Sequence, residues 1–587
     1  MADPIIQHSN LNTTFKGIRH ATSTSENEIW QFRGIKYANI PARFRQSTLN
    51  SSFPPVYDAT AFGPKCPQTI FPLRMEDCLI GLPPTITTVS HAPDIFDEFN
   101  CLNLNITTPA EAKSGDDLPV LVYVHGGGGF SGSNSDWWCD GGAIVKRSVE
   151  IGKPVVMVAI NYRLGVFGYM GSSELGEANG KDNTANFAPR DIVLLPSLFT
   201  SPSPPLVLLH LVSNIANKPK HRALTWLSQH ITPFGGSPHQ ITVYGESHGS
   251  NAIAAQLHSS SSFPIPFHRA IMQSQILGAP LFATPLPLST ASSLYNSTKE
   301  ALNISTAKEI EEVDWRELIK AFQKSDPRNG FGHVPIIDDV FFLENWKEGI
   351  KSMGGQRGKL LLGCTGNEAS VVKMVVSGAP KSDPRPPTSS LVASLSSVLG
   401  EPKAGEIVGE YGINEGMEGE VVADRLLEIV EDLCWYRDQE RFSTFAKEQG
   451  INVKEYTFNQ LQPFTGPFHA VPSHSLDLAY LHGDSGIFDG CESPETERTM
   501  QREVQDAWIG FANGGKELGN EGVLVFGPEG DVREVGKETF LGKLRRGGKW
   551  GVWEGIEHLV LEGIVGVIMV HLVGLLGQGV APEEKGE

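Results

Sequence analysis

The chain has 587 residues, 40% of them hydrophobic, enough for a large core and for several average domains. Its formal charge of −19 excludes nucleic-acid binding as a main role, because a phosphate backbone selects basic surfaces. Seven cysteines over this length are no disulfide scaffold, and there is neither zinc-type spacing nor a dinucleotide fingerprint, so no metal and no cofactor is expected.

The N-terminus, Met1-Ala2-Asp3-Pro4, opens no basic and apolar leader. The chain as written is therefore expected in the cytoplasm, with secretion the alternative if the N-terminus is misassigned. Leu121-Val122-Tyr123-Val124 reads as an apolar strand that runs into His125-Gly126-Gly127-Gly128-Gly129. Bare backbone of this kind can aim N–H groups at one point, as a developing oxyanion requires; its plain alternative is a flexible glycine turn. Further on, Ser201-Pro202-Ser203-Pro204-Pro205 cannot continue a helix, since proline lacks the N–H donor and clashes with the preceding turn.

The β-branched run Ile241-Thr242-Val243-Tyr244 precedes Gly245-Glu246-Ser247-His248-Gly249, and small helix-compatible residues, Ser250 to Ala255, follow. Strand, glycine-flanked turn and helix would lift the Ser247 hydroxyl out at the end of a sheet, as a nucleophile elbow does. With 62 glycines in the chain the pentapeptide alone is weak, and its context carries the reading. Lys359-Leu360-Leu361-Leu362-Gly363 reads as a buried strand, and the turn after it ends in the carboxylate of Glu368. A loop between Gly466 and Gly483 carries His474. Nucleophile, acid and histidine in this order are the chain order of α/β-hydrolases.

Several further blocks accompany these three. They are Gln31-Phe32-Arg33-Gly34-Ile35-Lys36-Tyr37-Ala38, Cys101-Leu102-Asn103-Leu104-Asn105-Ile106, Asn161-Tyr162-Arg163-Leu164-Gly165-Val166-Phe167-Gly168, Phe234-Gly235-Gly236, Ala270-Ile271-Met272-Gln273-Ser274 and Pro335-Ile336-Ile337-Asp338. Together they resemble the type-B carboxylesterases, which include the cholinesterases and the large fungal lipases. The resemblance runs from about Gln31 to about Ala512 and implies an α/β-hydrolase fold, a large and mostly parallel twisted central sheet flanked by helices. On that basis residues 31–550 are one domain, 1–30 an N-terminal extension and 551–587 an apolar C-terminal tail.

Carried over position by position, the resemblance implies Ser247 as nucleophile, Glu368 as acid and His474 as base. Gly127, Gly128 and His248 supply the backbone N–H groups of the oxyanion hole. His469 and His482 are rivals for the base but lack an acidic residue three positions later; Asp477, which supplies that residue for His474, is read as structural. The implied chemistry is hydrolysis of a small-molecule carboxylic ester with an apolar acyl group, carboxylesterase-like or lipase-like, through an acyl-enzyme. A catalytically silent binding or adhesion protein of the same fold, or an inactive product of a gene model that retains an intron, is the alternative.

Departures from the pattern carry expectations of their own. Gly129 stands where the family has an aromatic, which implies a looser loop or a wider acyl pocket. His248 replaces an alanine and is read either as crowding the site or as an exposed imidazole. Phe99-Asn100 stand where two acids precede the family's cysteine, so Arg43 needs another partner, for which Glu98 is the candidate. Cys66 and Cys101 match a family pair that forms a disulfide in oxidising compartments. The apolar loop between them, with Ile70, Phe71, Leu79 and Ile80, reads as a lid or a pocket wall. A helix-opening block that runs uninterrupted in the family is split between Asp191 and Arg222 by roughly thirty residues, more than an ordinary connection. Ile192 to His221 is read as translated intron sequence, with a genuine surface insertion as the competitor. The apolar run from Ile564 to Leu576 reads as a packed terminal helix, and membrane contact is not expected.

Overall fold

The computed structural model describes residues 3–71, 74–83, 86, 91–192, 223–263, 265, 267–280, 282–326, 333–350, 359–379, 387–515 and 522–577. Among these, eleven strands form one sheet. In chain order they are β1 (Ile18–Arg19), β2 (Ile29–Lys36), β3 (Asn103–Pro109), β4 (Leu118–Val124), β5 (Val156–Ile160) and β6 (Gly236–Glu246). They continue with β7 (Arg269–Gln273), β8 (Lys359–Thr365), β9 (Asn452–Phe458), β10 (Val523–Phe526) and β11 (Val532–Val535). The spatial order is β11-β10-β9-β8-β7-β6-β4-β5-β3-β2-β1.

The strands from β10 to β5 in that order run parallel, and the outer strands on both sides are antiparallel. The sequences explain the division. β4, β5 and β8 are near-continuous apolar runs, buried on both faces, as a parallel interior covered by helices demands. Edge strand β11 carries Arg533 and Glu534, charges that discourage pairing with another chain.

Alternation along the parallel strands sorts the core into two layers. Tyr123, Tyr244, Ile271, Leu361 and Tyr456 face Ile144, Leu476, Val504 and Trp508 from helices on one side. Val122, Val243, Ala270, Leu360 and Leu362 face Ile253, Ala254 and Leu257 of the His248–His258 helix on the other. Each fully buried side chain of this kind contributes about 1.5–3 kcal/mol. The register places Tyr244 beside Tyr123, Glu246 beside Gln273 and Gln273 beside Gly363. The carboxyl ends of β4, β6 and β8 therefore open at one edge, where open α/β sheets bind ligands.

The first and last described segments are built into the fold. Ile5–His8 and Thr13–Lys16 form a three-stranded sheet with Val56–Asp58, and Phe15 is fully buried against Phe53, Tyr57 and Phe234. At the other end, the His558–Leu576 helix buries Ile564, Val565, Ile568 and Leu572 in a cluster with Leu391, Leu395, Leu426 and Val430. It is long and apolar enough to cross a membrane, yet 44% of its apolar window is buried inside the protein. Residues 193–222, which include most of the interrupting segment, lie outside the described residues. On either side of them stand the helices Phe187–Ile192 and Ala223–His230, with Asp191 paired to Arg163 at 2.7 Å and Trp226 buried.

Candidate active site

Strand β6 ends at Glu246 and the His248–His258 helix begins two residues later, so Ser247 must turn the chain alone. Its φ of 54° and ψ of −122° lie in a region that costs a non-glycine residue about 1–3 kcal/mol. The surrounding glycines make the turn possible. A β-carbon on Gly245 would lie 2.8 Å from the Val124 carbonyl oxygen, and one on Gly249 only 2.0 Å from it. The Ser247 N–H donates to the Gln273 carbonyl at 2.9 Å, its own carbonyl accepts from Asn251 at 3.2 Å, and the side chain is left partly exposed among buried neighbours.

Glu368 follows β8, and one of its oxygens accepts the Thr365 N–H at 2.6 Å. Its other oxygen is hydrogen-bonded to His474 Nδ1. The His474 loop is tied to this turn, because Asn367 donates to the Pro472 carbonyl at 3.0 Å and the His474 N–H donates to Ser370 Oγ at 2.8 Å. Predicted acid and base are thus brought together, and both are buried.

The second ring nitrogen, Nε2, lies 3.1 Å from Oε1 of Glu246, which also accepts from Ser475 Oγ at 2.8 Å. Among the described residues the Ser247 hydroxyl makes no hydrogen bond. The imidazole is thus held between two buried carboxylates. Burial alone would lower its pKa, but the charges of Glu246 and then Glu368 outweigh that and raise it to about 9. Burial raises the Glu246 carboxyl to about 8, against the pull of His474. Sequence reasoning assigned Glu246 no role, although it stands in the elbow pentapeptide immediately before the serine.

The glycine loop after β4 packs against the elbow. A β-carbon on Gly126 would sit 2.9 Å from the Glu246 carbonyl oxygen and 3.3 Å from Ser247 Cβ. Gly127 and Gly128 have φ of 91° and 62°, and the turn closes by a Ser131 N–H bond of 3.0 Å to the Gly127 carbonyl. Among the described residues no hydrogen bond occupies the N–H groups of Gly127, Gly128 or His248. These are the three groups the resemblance implies for an oxyanion hole.

His248 is not exposed but 3% accessible, and burial, ahead of the repulsion of His333 and His125, holds it down to about 3, neutral at any working pH. Its ring lies where a Gly129 side chain would be, since a β-carbon there would come within 2.6 Å of Cε1. The space left by the missing aromatic is therefore filled by His248 rather than open. Nε2 is hydrogen-bonded to the Tyr169 hydroxyl at 2.5 Å, a partner that no linear pattern pointed to.

The rival histidines stand elsewhere. His482 bonds the Asp140 carbonyl at 3.0 Å and stacks on Tyr244, and His469 bonds the Phe464 carbonyl at 3.0 Å. Asp477 accepts Gln273 Nε2 at 2.7 Å from the strand beside β6, a structural contact. Glu98 does take the place of the missing acids, holding Arg43 through two bonds of 2.7 and 2.6 Å in a buried pair. Cys66 and Cys101 are buried free thiols, not a disulfide; a hydrogen bond to Cys66, ahead of burial, pushes the Cys101 thiol well up. In the loop between them Ile70 and Phe71 are exposed, and the Phe71 ring lies 5.9 Å from that of Phe130 beside the glycine loop.

A parallel sheet with a strained serine elbow at its carboxyl edge defines the α/β-hydrolase class. Comparison with known proteins makes this specific, for the profile of the carboxylesterase family matches residues 2–194 and 210–531. The chain belongs to the carboxylesterase family, and its relatives, named lipases and esterases among them, make it a carboxylic ester hydrolase by descent. Lipase 1 of Yarrowia lipolytica is 27% identical over 514 residues, 87% of each chain. The inactive carboxylesterase-like protein VdtD of Byssochlamys spectabilis is 31% identical over 46% of this chain and 37% of its own. Among solved structures, a PNB esterase superposes with a TM-score of 0.66 at 23% identity, covering 93% of this chain and 99% of its own.

Proposed function

We propose that this protein hydrolyses carboxylic esters through an acyl-enzyme, with Ser247 as nucleophile, His474 as general base and Glu368 as the group that orients the imidazole. A serine hydroxyl is barely ionised near neutral pH, so a base must take its proton as the oxygen attacks the ester carbonyl. For that step His474 Nε2 exchanges Glu246 for the hydroxyl of the next residue along the chain, the kind of tightening that substrate binding brings to apo sites. Glu368 on Nδ1 fixes the tautomer and stabilises the imidazolium. The oxyanion is received by the free N–H groups of Gly127, Gly128 and His248, each worth about 3 kcal/mol of barrier in comparable sites. Collapse expels the alcohol, which takes the proton from His474, and water then releases the acid by the same route. The observation that carries this reading is the Glu368–His474 pair, whose second ring nitrogen reaches the carboxylate of Glu246, the residue before Ser247 on a glycine-walled elbow. An apolar acyl group is supported by the exposed Ile70 and Phe71 and by Phe130 at the mouth of the glycine loop, and agrees with a relative named as a lipase.

Labelling with a fluorophosphonate tests the proposal, since wild-type protein should be modified and Ser247→Ala should not. A folded wild-type protein that takes no label would favour a second reading, a silent member of the family. That reading draws on the inactive relative and on the engagement of His474 Nε2 by Glu246 rather than by Ser247.

A further inference from the structure

Far from the elbow, the first strand of the chain is docked through a pair of histidines that no charged group accompanies. Ile5–His8 has a single neighbour in its small sheet, the antiparallel strand Thr13–Lys16, and the turn Ser9–Leu11 lies between them. His8 ends the strand with its ring against that of His230, the last residue of the Ala223–His230 helix, the centroids 5.1 Å apart. Phe15 stands 6.2 Å from the His8 ring and Trp226 stands 4.9 Å from the His230 ring. Both histidines and Trp226 are buried, and His8 Nε2, His230 Nδ1 and Trp226 Nε1 have no hydrogen-bond partner.

Such a contact is built for neutral rings. His8 Nδ1 accepts the Leu11 N–H at 3.2 Å and so caps the Ser9–Leu11 turn, which puts the proton of the neutral ring on Nε2. A second proton must go to Nδ1, where it displaces the Leu11 N–H and uncaps the turn. A proton on His230 charges a ring packed between His8 and Trp226. Among the described residues no carboxylate and no cation other than the two rings themselves acts on either histidine. Burial lowers both, and with the repulsion of His8 it holds His230 down to about 4, although the end of a helix ordinarily favours a cation.

We propose that His8 and His230 form an acid-released latch, which holds Ile5–Leu11 on the Ala223–His230 helix at neutral pH and lets it go on acidification while the central sheet stays folded. Release returns both rings to water, where they take up protons freely. Docking is therefore at full strength above the ordinary value of 6.5 and weakens as the pH falls from there towards about 4. For His230 alone the opening equilibrium should gain about twentyfold between pH 7 and pH 5, and His8 adds to it in the same direction. The segment is suited to local release, because it is an edge and buries only Ile6, His8 and Leu11. Phe15, the aromatic anchor of the small sheet, belongs to the neighbouring strand and stays in place. The latch does not depend on the hydrolase chemistry proposed above.

Hydrogen exchange of the full-length protein at pH 7 and pH 5, corrected at each pH for the exchange rate of an unfolded amide, measures the opening. Protection of Ile5–Leu11 should fall by about twentyfold or more on acidification, while β4 and β8 keep theirs. His8→Asn, which keeps an acceptor for the Leu11 N–H but takes up no proton, should shrink the fall, and so should His230→Gln; the two together should abolish it. Where the double variant does not hold the strand at pH 7, each single variant decides by the same ratio. Wild-type protection that is equal at the two pH values, or that falls together with β4 and β8, overturns the latch, and so do variants that lose as much as wild type. None of these results touches the hydrolase reading, which fluorophosphonate labelling at Ser247 tests separately.

Discussion

Replacing Glu246 by glutamine removes one charge from beside His474 and little else, since glutamine has the same shape and its carbonyl can still accept from Ser475. The Nε2 to Oε1 distance is 3.1 Å. At an effective dielectric constant of about 20, Coulomb's law gives an upper bound of ~5 kcal/mol for a pair this close. A neighbouring opposite charge typically moves a pKa by about 1–3 pH units. His474, held at about 9 against burial by Glu246 first and Glu368 second, should therefore titrate lower by that amount in the variant. The sign follows from the role. A general base must be neutral, and a raised pKa keeps His474 protonated until the pH passes it, so kcat/KM in wild type rises through the alkaline range. In Glu246→Gln the rising limb should move towards neutrality, and activity at neutral pH should gain relative to the alkaline plateau. The assay is the pH profile of kcat/KM on a soluble p-nitrophenyl ester, with fluorophosphonate labelling rate as a check independent of substrate. A limb that stays where it was, or moves to higher pH, in a folded variant refutes the electrostatic assignment of Glu246.

Three further expectations test the frame around the site. Gly249→Ala would set a β-carbon 2.0 Å from the Val124 oxygen and should cost more than about 4 kcal/mol or abolish folding, whereas Gly405→Ala, on an exposed helix with open space, should stabilise by about 0.5–1 kcal/mol; urea midpoints compare them. Glu98→Ala leaves the buried Arg43 guanidinium without its carboxylate, and equilibrium unfolding should show a loss of about 3–5 kcal/mol. Thiol titration of the denatured, reduced protein should count all seven cysteines, whereas in the folded protein the buried Cys66 and Cys101, whose thiol is pushed up, should resist a thiol reagent.

Much of the frame was legible because the physics is local. An apolar strand such as Leu360-Leu361-Leu362 announces its burial, and two glycines around a serine announce a turn that no β-carbon can enter. Glu368 and His474 were found by the order of motifs, and they meet through backbone ties such as Asn367 to Pro472 that no pattern displays. Tyr169 and His248 are 79 positions apart, and their bond exists only because the glycine loop, a short helix and the elbow converge at one corner. Gly129 and His248 each looked like an isolated departure, one loosening the site and the other crowding it. They are complementary in volume, and that is a property of the fold rather than of either position.

Glu246 belongs to a different kind of omission. Its residue type and place were plain, but a carboxylate next to the elbow serine has meaning only once its direction is known. The side chain turns to the imidazole and puts a second negative group on it, which stabilises the imidazolium formed during attack and disfavours the neutral base needed beforehand. Burial raises the Glu246 carboxyl to about 8, against the pull of His474. The contact that occupies Nε2 at rest, across 3.1 Å, is the one that attack by the adjacent hydroxyl must break, so the carboxylate that raises the basicity of the ring also competes with the serine for it.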